Sequence, residues 1–160
     1  MYRVGKFEKV SESQYEKDTD APGTYENVVL PKRATKGSAG YDIISPKSFI
    51  LNQGESTKIA TGLRVKMDQD WVLIVLPKSG LGTKFRFQLD NTCGVIDSDY
   101  YYADNEGHII ISMTNDSKSE KTLEVIAGKA FAQAIFLPYG ITLDDDADGV
   151  RKGGFGSTGV

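Results

Sequence analysis

Asp97 is the first residue of this sequence to suggest reactivity. In "NTCGVIDSDY", Asn91 to Tyr100, it closes a short apolar run, with Asp99 and Tyr100 just behind it. A carboxylate held at a strand end can orient a water and act as its general base. An aspartate there also starts turns, and the residues alone leave both readings open. A second stretch, "PKSGLGTK" from Pro77 to Lys84, offers the Ser79 hydroxyl, the charges of Lys78 and Lys84, and close backbone approach at Gly80 and Gly82. That set suits phosphate oxygens, although the spacing is not that of a Walker loop; a surface turn with incidental lysines explains it as well. In "AGYDI", Ala39 to Ile43, Asp42 is either a carboxylate for the water shell of Mg²⁺ or the outward residue of an alternating strand. "GKAFAQ", Gly128 to Gln133, sets the Gln133 amide among small and apolar residues, where it must find partners. Finally, "RKGGFGSTGV" has the glycine content of a flexible tail, yet it carries Phe155 between glycines, two cations and two hydroxyls.

The elements that must position these residues are strands. "TKIATGLRVKM" places Ile59, Thr61, Leu63, Val65 and Met67 on one parity, and "KFRFQL" alternates Phe85, Phe87 and Leu89. "WVLIVL" is an unbroken apolar run that predicts a strand buried on both faces. "NVVL", "YDII", "SFIL", "HIIISM", "TLEVI" and "FAQAIFL" are further strand candidates, separated by turn-forming stretches such as "LNQGES" and "TNDSKSE". No window keeps a helical period over three turns, and "SESQYEKDTDA" reads as helix or loop. The pattern predicts an all-β sandwich or barrel of jelly-roll type. It divides into one β domain, residues 1–150, and a glycine-rich arm, 151–160, released by the acidic run at 144–148.

Composition narrows the function classes. The 160 residues suffice for one core, and a net charge of −3 gives no bulk attraction to nucleic acid or an anionic membrane. A single cysteine, Cys93, leaves no intrachain disulfide and fits a reducing compartment. No stretch has the roughly 18 apolar residues of a membrane-crossing helix, and "MYRVGKFEKV" lacks a signal peptide's apolar segment. A soluble, cytoplasmic protein is expected. His108, the only histidine, has no Cys or Ser at a suggestive spacing and reads as structural. Trp71, Phe85 and Phe87 read as core, while three consecutive tyrosines, Tyr100 to Tyr102, cannot all face one core.

In order along the chain, "AGYD", "P-x-SGLG", "GVID-x-x-Y", "G-x-x-x-AQ" and "GGFGSTG" resemble the motifs of the homotrimeric dUTPases, the dUTP nucleotidohydrolases. The resemblance implies a jelly-roll-like trimer whose active sites each draw on three chains, with the arm completing the site of a neighbour. It implies Mg²⁺-dependent hydrolysis of dUTP to dUMP and pyrophosphate, which lowers dUTP and supplies dUMP for thymidylate synthesis. By the same resemblance Asp97 positions the attacking water and Tyr100 packs beneath the deoxyribose, leaving no room for a 2′-OH. The hairpin of Asn91, Gly94, Val95 and Ile96 pairs with the edge of uracil. Lys78, Ser79, Gly80 and Gln133 contact phosphates, and Asp42 reaches the metal through water. In the arm, Phe155 stacks on uracil while Arg151, Gly156, Ser157 and Thr158 wrap the γ-phosphate.

Several positions depart from the family pattern. Lys78 stands where arginine is usual and lacks its planar fork. Lys129 and Ala130 replace the common acidic–basic pair, and Tyr101 to Glu106 delay the return through Gly107. That insertion could add a surface for a protein partner. A dCTP deaminase shares the fold, but it needs a proton-shuttling glutamate in the hairpin, and "QLDNTCGVID" contains none. A dUTPase-like regulatory binding protein is the remaining alternative.

Overall fold

Strand-forming stretches become antiparallel ladders wherever they pair. The computed structural model describes residues 2–154. In chain order its strands are β1 (Gly5–Lys9), β2 (Lys32–Arg33), β3 (Tyr41–Ile44), β4 (Phe49–Leu51), β5 (Ser56–Ala60) and β6 (Leu63–Met67). They continue with β7 (Trp71–Pro77), β8 (Phe87–Leu89), β9 (Gly94–Ile96), β10 (Ile110–Asn115), β11 (Leu123–Val125) and β12 (Ala130–Pro138). The largest sheet has the order β2-β3-β12-β7-β9; a second is β5-β10-β8, and β1-β6 and β11-β4 form pairs. The inward faces share one core that includes Ile43, Leu73, Val75, Phe87, Met113 and Phe131. This is the expected all-β jelly-roll architecture, with few and short helices.

Five expectations need correction. "TKIATGLRVKM" is two strands: the parity holds, with Ile59, Thr61, Leu63 and Val65 buried, but the chain turns at Gly62 (φ +72°). There it leaves β10, the partner of β5, for β1, the partner of β6. "PKSGLGTK" is not a surface turn, because Ser79–Phe85 form a short helix, α2. Leu81 and Phe85, four apart, both pack on the core and supply the apolar face that favours this turn of helix. The β7 run alternates after all: Leu73 and Val75 are buried, whereas Val72, Ile74 and Leu76 are only half-buried. Trp71 is half-buried at the strand's edge, against Tyr2. "NVVL" is not a strand; Tyr25–Asn27 make a 3-10 turn.

The undecided "SESQYEKDTDA" is a helix, α1 (Glu12–Asp18), because Ser11 caps it by accepting from the Gln14 amide at 3.1 Å and Tyr15 buries one face. Its last residue, Asp18, reaches the core. Asp18 Oδ2 lies 2.6 Å from Nδ1 of the fully buried His108, and Nε2 of that ring accepts from the Gly62 amide at 2.9 Å. An N–H pointing at Nε2 requires the lone pair there, so the proton sits on Nδ1 and is donated to Asp18. Burial lowers the pKa of His108 against the opposing pull of Asp18. His108 therefore acts as a neutral structural tie.

Candidate functional site

Two groups of the expected residues gather along one strand, β7, with Asp97 beside one end and Lys78 beyond the other. The first is β9 with the turns on either side of it; β8 and β9 are joined by a tight turn but lie in different sheets, β8 on β10 and β9 on β7, so they are not the paired hairpin the motif suggests. β9 is last in its sheet, so one row of its peptide N–H and C=O groups is not used by the ladder to β7. The turn before it is tight, with a Leu89–Thr92 bridge and Thr92 at φ +72°. A β-branched residue in the left-handed region is strained, a state that persists only where the surroundings enforce it. Asn91, Gly94, Val95, Ile96, Asp97 and Tyr100 all line one cavity of about 260 Å³. Ile109, Ile110, Ile111, Arg151 and Gly154 also line it.

Asp97 stands at the rim of this cavity, half-buried, as the residue before the 3-10 turn Ser98–Tyr102. It forms an ion pair with Arg151, whose Nε also reaches Asp99 Oδ1 at 2.7 Å. Tyr100, 7 % exposed, turns its ring inward. Its hydroxyl donates to the His108 carbonyl at 2.7 Å and accepts from Asn105 Nδ2 at 2.8 Å. Burial raises the phenol's pKa, with the Asn105 bond opposing, so Tyr100 is a neutral surface and not a base. A methyl added at Gly154 would lie 3.1 Å from the Tyr100 oxygen, so the start of the arm rests on this ring. Phe155, Gly156, Ser157 and Thr158 lie outside the described residues.

The second group sits at the far end of β7. Asp42 on β3 is opposite Gln133 on β12, and Lys78 Nζ meets Asp42 Oδ1 at 2.5 Å. Gln133 Nε2 donates to the Pro77 carbonyl at 3.0 Å, which fixes the amide beside Asp42. Gly40 makes room for it: a Cβ there would come within 2.8 Å of Gln133 Oε1. Ser79 and Gly80 are exposed in the first turn of α2. Ala130 begins β12 beside a register shift, and its methyl carries no charge.

The distance between the groups follows from register. Leu73 pairs with Ile96, so Asp97 falls beside Val72, while Lys78 follows the opposite end of β7. At ~3.3 Å per residue Asp97 and Lys78 of one chain are roughly 20 Å apart along the strand, and Gln133, opposite Leu76, is about 13 Å along it from Asp97 and two strands over. A single chain thus carries a slot with a carboxylate at its rim and, well away from it, a polar cluster of an acid, a lysine, an amide and a hydroxyl. Asn105, which holds Tyr100, has no sequence signal of its own, whereas Gly40, which makes room for Gln133, lies inside "AGYD".

Comparison with known proteins gives this arrangement its context. The family model described as dUTPase matches residues 26–159. The deoxyuridine 5'-triphosphate nucleotidohydrolase of Lactococcus lactis subsp. lactis is 39% identical over 134 residues, covering 82% of this chain and 88% of that protein. The crystal structure of dUTPase from Streptococcus mutans superposes with a TM-score of 0.67 at 33% identity, over 85% of this chain and 97% of that one. A mutant dUTPase from phage phi11 of S. aureus, described with a coordinated structural Mg(II) ion, shares the fold at 19% identity and a TM-score of 0.66, over 92% and 98% of the two chains.

Proposed function

The chain belongs to the dUTPase family and hydrolyses dUTP to dUMP and pyrophosphate, and we propose that it does so in sites shared between three copies of itself. The observation that carries this reading is the ~20 Å that separates Asp97 from Lys78 and the start of α2 along β7. A water held by Asp97 cannot reach a phosphate held by Ser79, Gly80 and Gln133 of the same chain. A second copy that brings its polar cluster to this slot solves the problem. The outer face of the large sheet supports such packing. Val95, Ile74 and Ile135 form one row across three strands, with Leu137 beside Val72 on the same face. Val95 is 57% exposed and Leu137 43%. Contiguous exposed apolar surface marks a contact face.

In the assembled site, the free backbone row of β9 with Asn91 pairs with the uracil edge, and the deoxyribose lies on the Tyr100 ring. Asp97 accepts the proton of the water that attacks the α-phosphorus. The α–β bridging P–O bond breaks and pyrophosphate leaves. Gln133, the Ser79 hydroxyl and the Gly80 amide hold the phosphate oxygens, and Lys78 supplies a point charge. Arg151, paired with Asp97 and Asp99 in the single chain, is the cation that transfers to the γ-phosphate when the arm, residues 151–160, closes with Phe155 over the base and Gly156, Ser157 and Thr158 around the phosphate.

Magnesium fits this donor set in one way. Among the described residues no three His, Cys, Asp or Glu side chains come together to cage a cation. Asp42 is a lone half-buried carboxylate beside the phosphate contacts, as suits an ion that keeps most of its waters and takes the rest from the triphosphate. Such an ion draws charge from the phosphate oxygens; Asp42 would hold it through water.

Pyrophosphate release from dUTP, TTP, dCTP and UTP with Mg²⁺ tests the chemistry. Strong preference for dUTP is expected, with Asp97→Asn slower by about 10²–10⁴-fold, the usual worth of a positioned base. Ammonia release from dCTP would refute the assignment. None is expected, since among the described residues no glutamate lines the cavity. Light scattering checks the assembly, for which a monomer mass in an active preparation would overturn the shared site.

A further inference from the structure

The geometry points to Asn105 as a positioning residue for sugar selection, acting through the Tyr100 hydroxyl; this rests on the reading of Tyr100 as the surface beneath the deoxyribose. A phenol has one proton to give and accepts readily in the plane of its ring. A carbonyl cannot donate and an amide NH₂ cannot accept. The 2.7 Å bond to the His108 carbonyl therefore uses the phenol's proton, and the 2.8 Å bond from Asn105 Nδ2 uses its acceptor. Both hydrogen-bonding capacities of the hydroxyl are spent inside the protein. A ribonucleotide placed on this ring brings a 2′-OH that loses water and finds no partner in Tyr100. Selection against UTP then has two parts, the volume of the ring and the absence of a spare valence on its oxygen.

Asn105 is placed by the insertion that holds it, Tyr101 to Glu106. The segment folds back on Tyr100 through Ala103 N–H to the Tyr100 carbonyl at 3.0 Å and Glu106 N–H to the Ala103 carbonyl at 2.9 Å. Asn105 Oδ1 accepts from the Gly107 amide at 3.2 Å, which leaves its NH₂ aimed at the phenol. Glu106 sits at φ +60°, an unfavourable region for a residue with a Cβ. Its carboxylate accepts from Ser11 Oγ at 2.6 Å and from the Ser11 amide at 2.8 Å. The cap of α1 thus anchors the insertion, and the insertion anchors Asn105.

The test is a double-mutant cycle read as the ratio of kcat/KM for dUTP to that for UTP. Asn105→Ala is expected to lower the ratio about 5- to 100-fold, the span for restoring a partner to one otherwise unpaired polar group. Tyr100→Phe removes the oxygen, and Asn105→Ala on top of it should change the ratio no further. Asn105→Asp keeps the acceptor for Gly107 but deletes the donor; it should give the same loss and guards against misfolding of the alanine variant. An unchanged ratio in both Asn105 variants, or effects that multiply in the double variant, overturns the inference. Tyr100→Ala separates this failure from a deeper one. If the ratio survives loss of the ring, the deoxyribose does not lie on Tyr100; if it collapses there but holds in the Asn105 variants, only the role of Asn105 is wrong.

Discussion

Replacing Gly40 by alanine separates the phosphate cluster from the stability of the fold. Gly40 lies outside the left-handed region, so alanine is allowed by the backbone there. The new methyl would sit 2.8 Å from Gln133 Oε1 but 3.7 Å or more from the next nearest atoms, Cδ and Cβ of the same side chain. Only the end of a flexible side chain is in the way, and it yields by rotating. Rotation breaks the Gln133–Pro77 hydrogen bond, a loss of about 0.5–1.5 kcal/mol. Alanine in turn restricts the unfolded chain and returns about 0.4–1 kcal/mol. The two nearly cancel, so the melting temperature should move by less than roughly 4 °C, taking about 2–4 °C per kcal/mol for a chain of this size.

Catalysis has no such compensation. Under the proposed role of Gln133, a displaced amide no longer meets a phosphate oxygen, and a hydrogen bond to a charged group contributes about 1.5–3 kcal/mol. The expected fall in kcat/KM for dUTP is therefore about 10- to 100-fold in a protein that melts almost normally. Steady-state pyrophosphate release and differential scanning fluorimetry on the same preparation give both numbers. Activity within twofold of the parent would refute the placing of Gln133 at the phosphates. A drop of more than roughly 10 °C in melting temperature would refute the claim that only the amide moves.

Two further outcomes concern the tie behind Tyr100. His108 has its pKa lowered by burial, so below the unfolded value of about 6.5 the unfolded chain binds a proton that the folded chain resists. Urea unfolding should accordingly show stability present above pH 7 and lost as pH falls towards 5.5, with a shallower loss in His108→Gln; equal slopes would show that the ring does not titrate against the fold. Gly107→Ala should lower the melting temperature by roughly 5–15 °C, since φ is +69° and the methyl would meet Tyr100 O at 2.6 Å and Tyr101 Cα at 2.7 Å, both backbone. Gly128→Ala, at φ +86° but with nothing within 4 Å, isolates the backbone part and should cost about 1 kcal/mol; similar losses in the two variants would contradict the close packing of the insertion on Tyr100.

Period-two patterning made most of the sheet legible in the sequence, because one face of each strand is dry and the other wet; Ile59, Leu63 and Val65 are the plainest instance. It misjudged "KFRFQL", where Phe85 ends α2 and Phe87 begins β8, with Arg86 at φ +48° between them. Two aromatic residues at i and i+2 satisfy a strand rule equally well when a helix end and a strand start meet at that spot. The candidate residues were legible as motifs, since aspartate, serine and glutamine beside glycines stand out by type. Their supports were not. Asn105 and Asp18 act through partners that are near in space but belong to different segments, and nothing in "YYADNE" or "QYEKD" tells that an amide and a carboxylate converge on Tyr100 and His108.

The divided site and the apolar sheet face have one physical explanation under the proposed assembly. The row Val95, Ile74 and Ile135 lies on the face that also carries Gln133 and Asp42, two places further along β12 and β3. A neighbour that covers this row excludes water next to the phosphate contacts. Removing water strengthens each charge and hydrogen bond aimed at the triphosphate, because the same groups act across a lower dielectric. Half-buried Lys78 and Asp42, a modest pair in solvent, become directed groups once a subunit boundary lies beside them. The arm extends this logic to the open side of the slot: Arg151 is held by Asp97 and Asp99, and the Asp104 amide donates to the Lys152 carbonyl at 3.0 Å. Under the proposed mechanism, a triphosphate that draws Arg151 away also releases the Asp97 carboxylate from this ion pair, which would couple the arm to the proposed base.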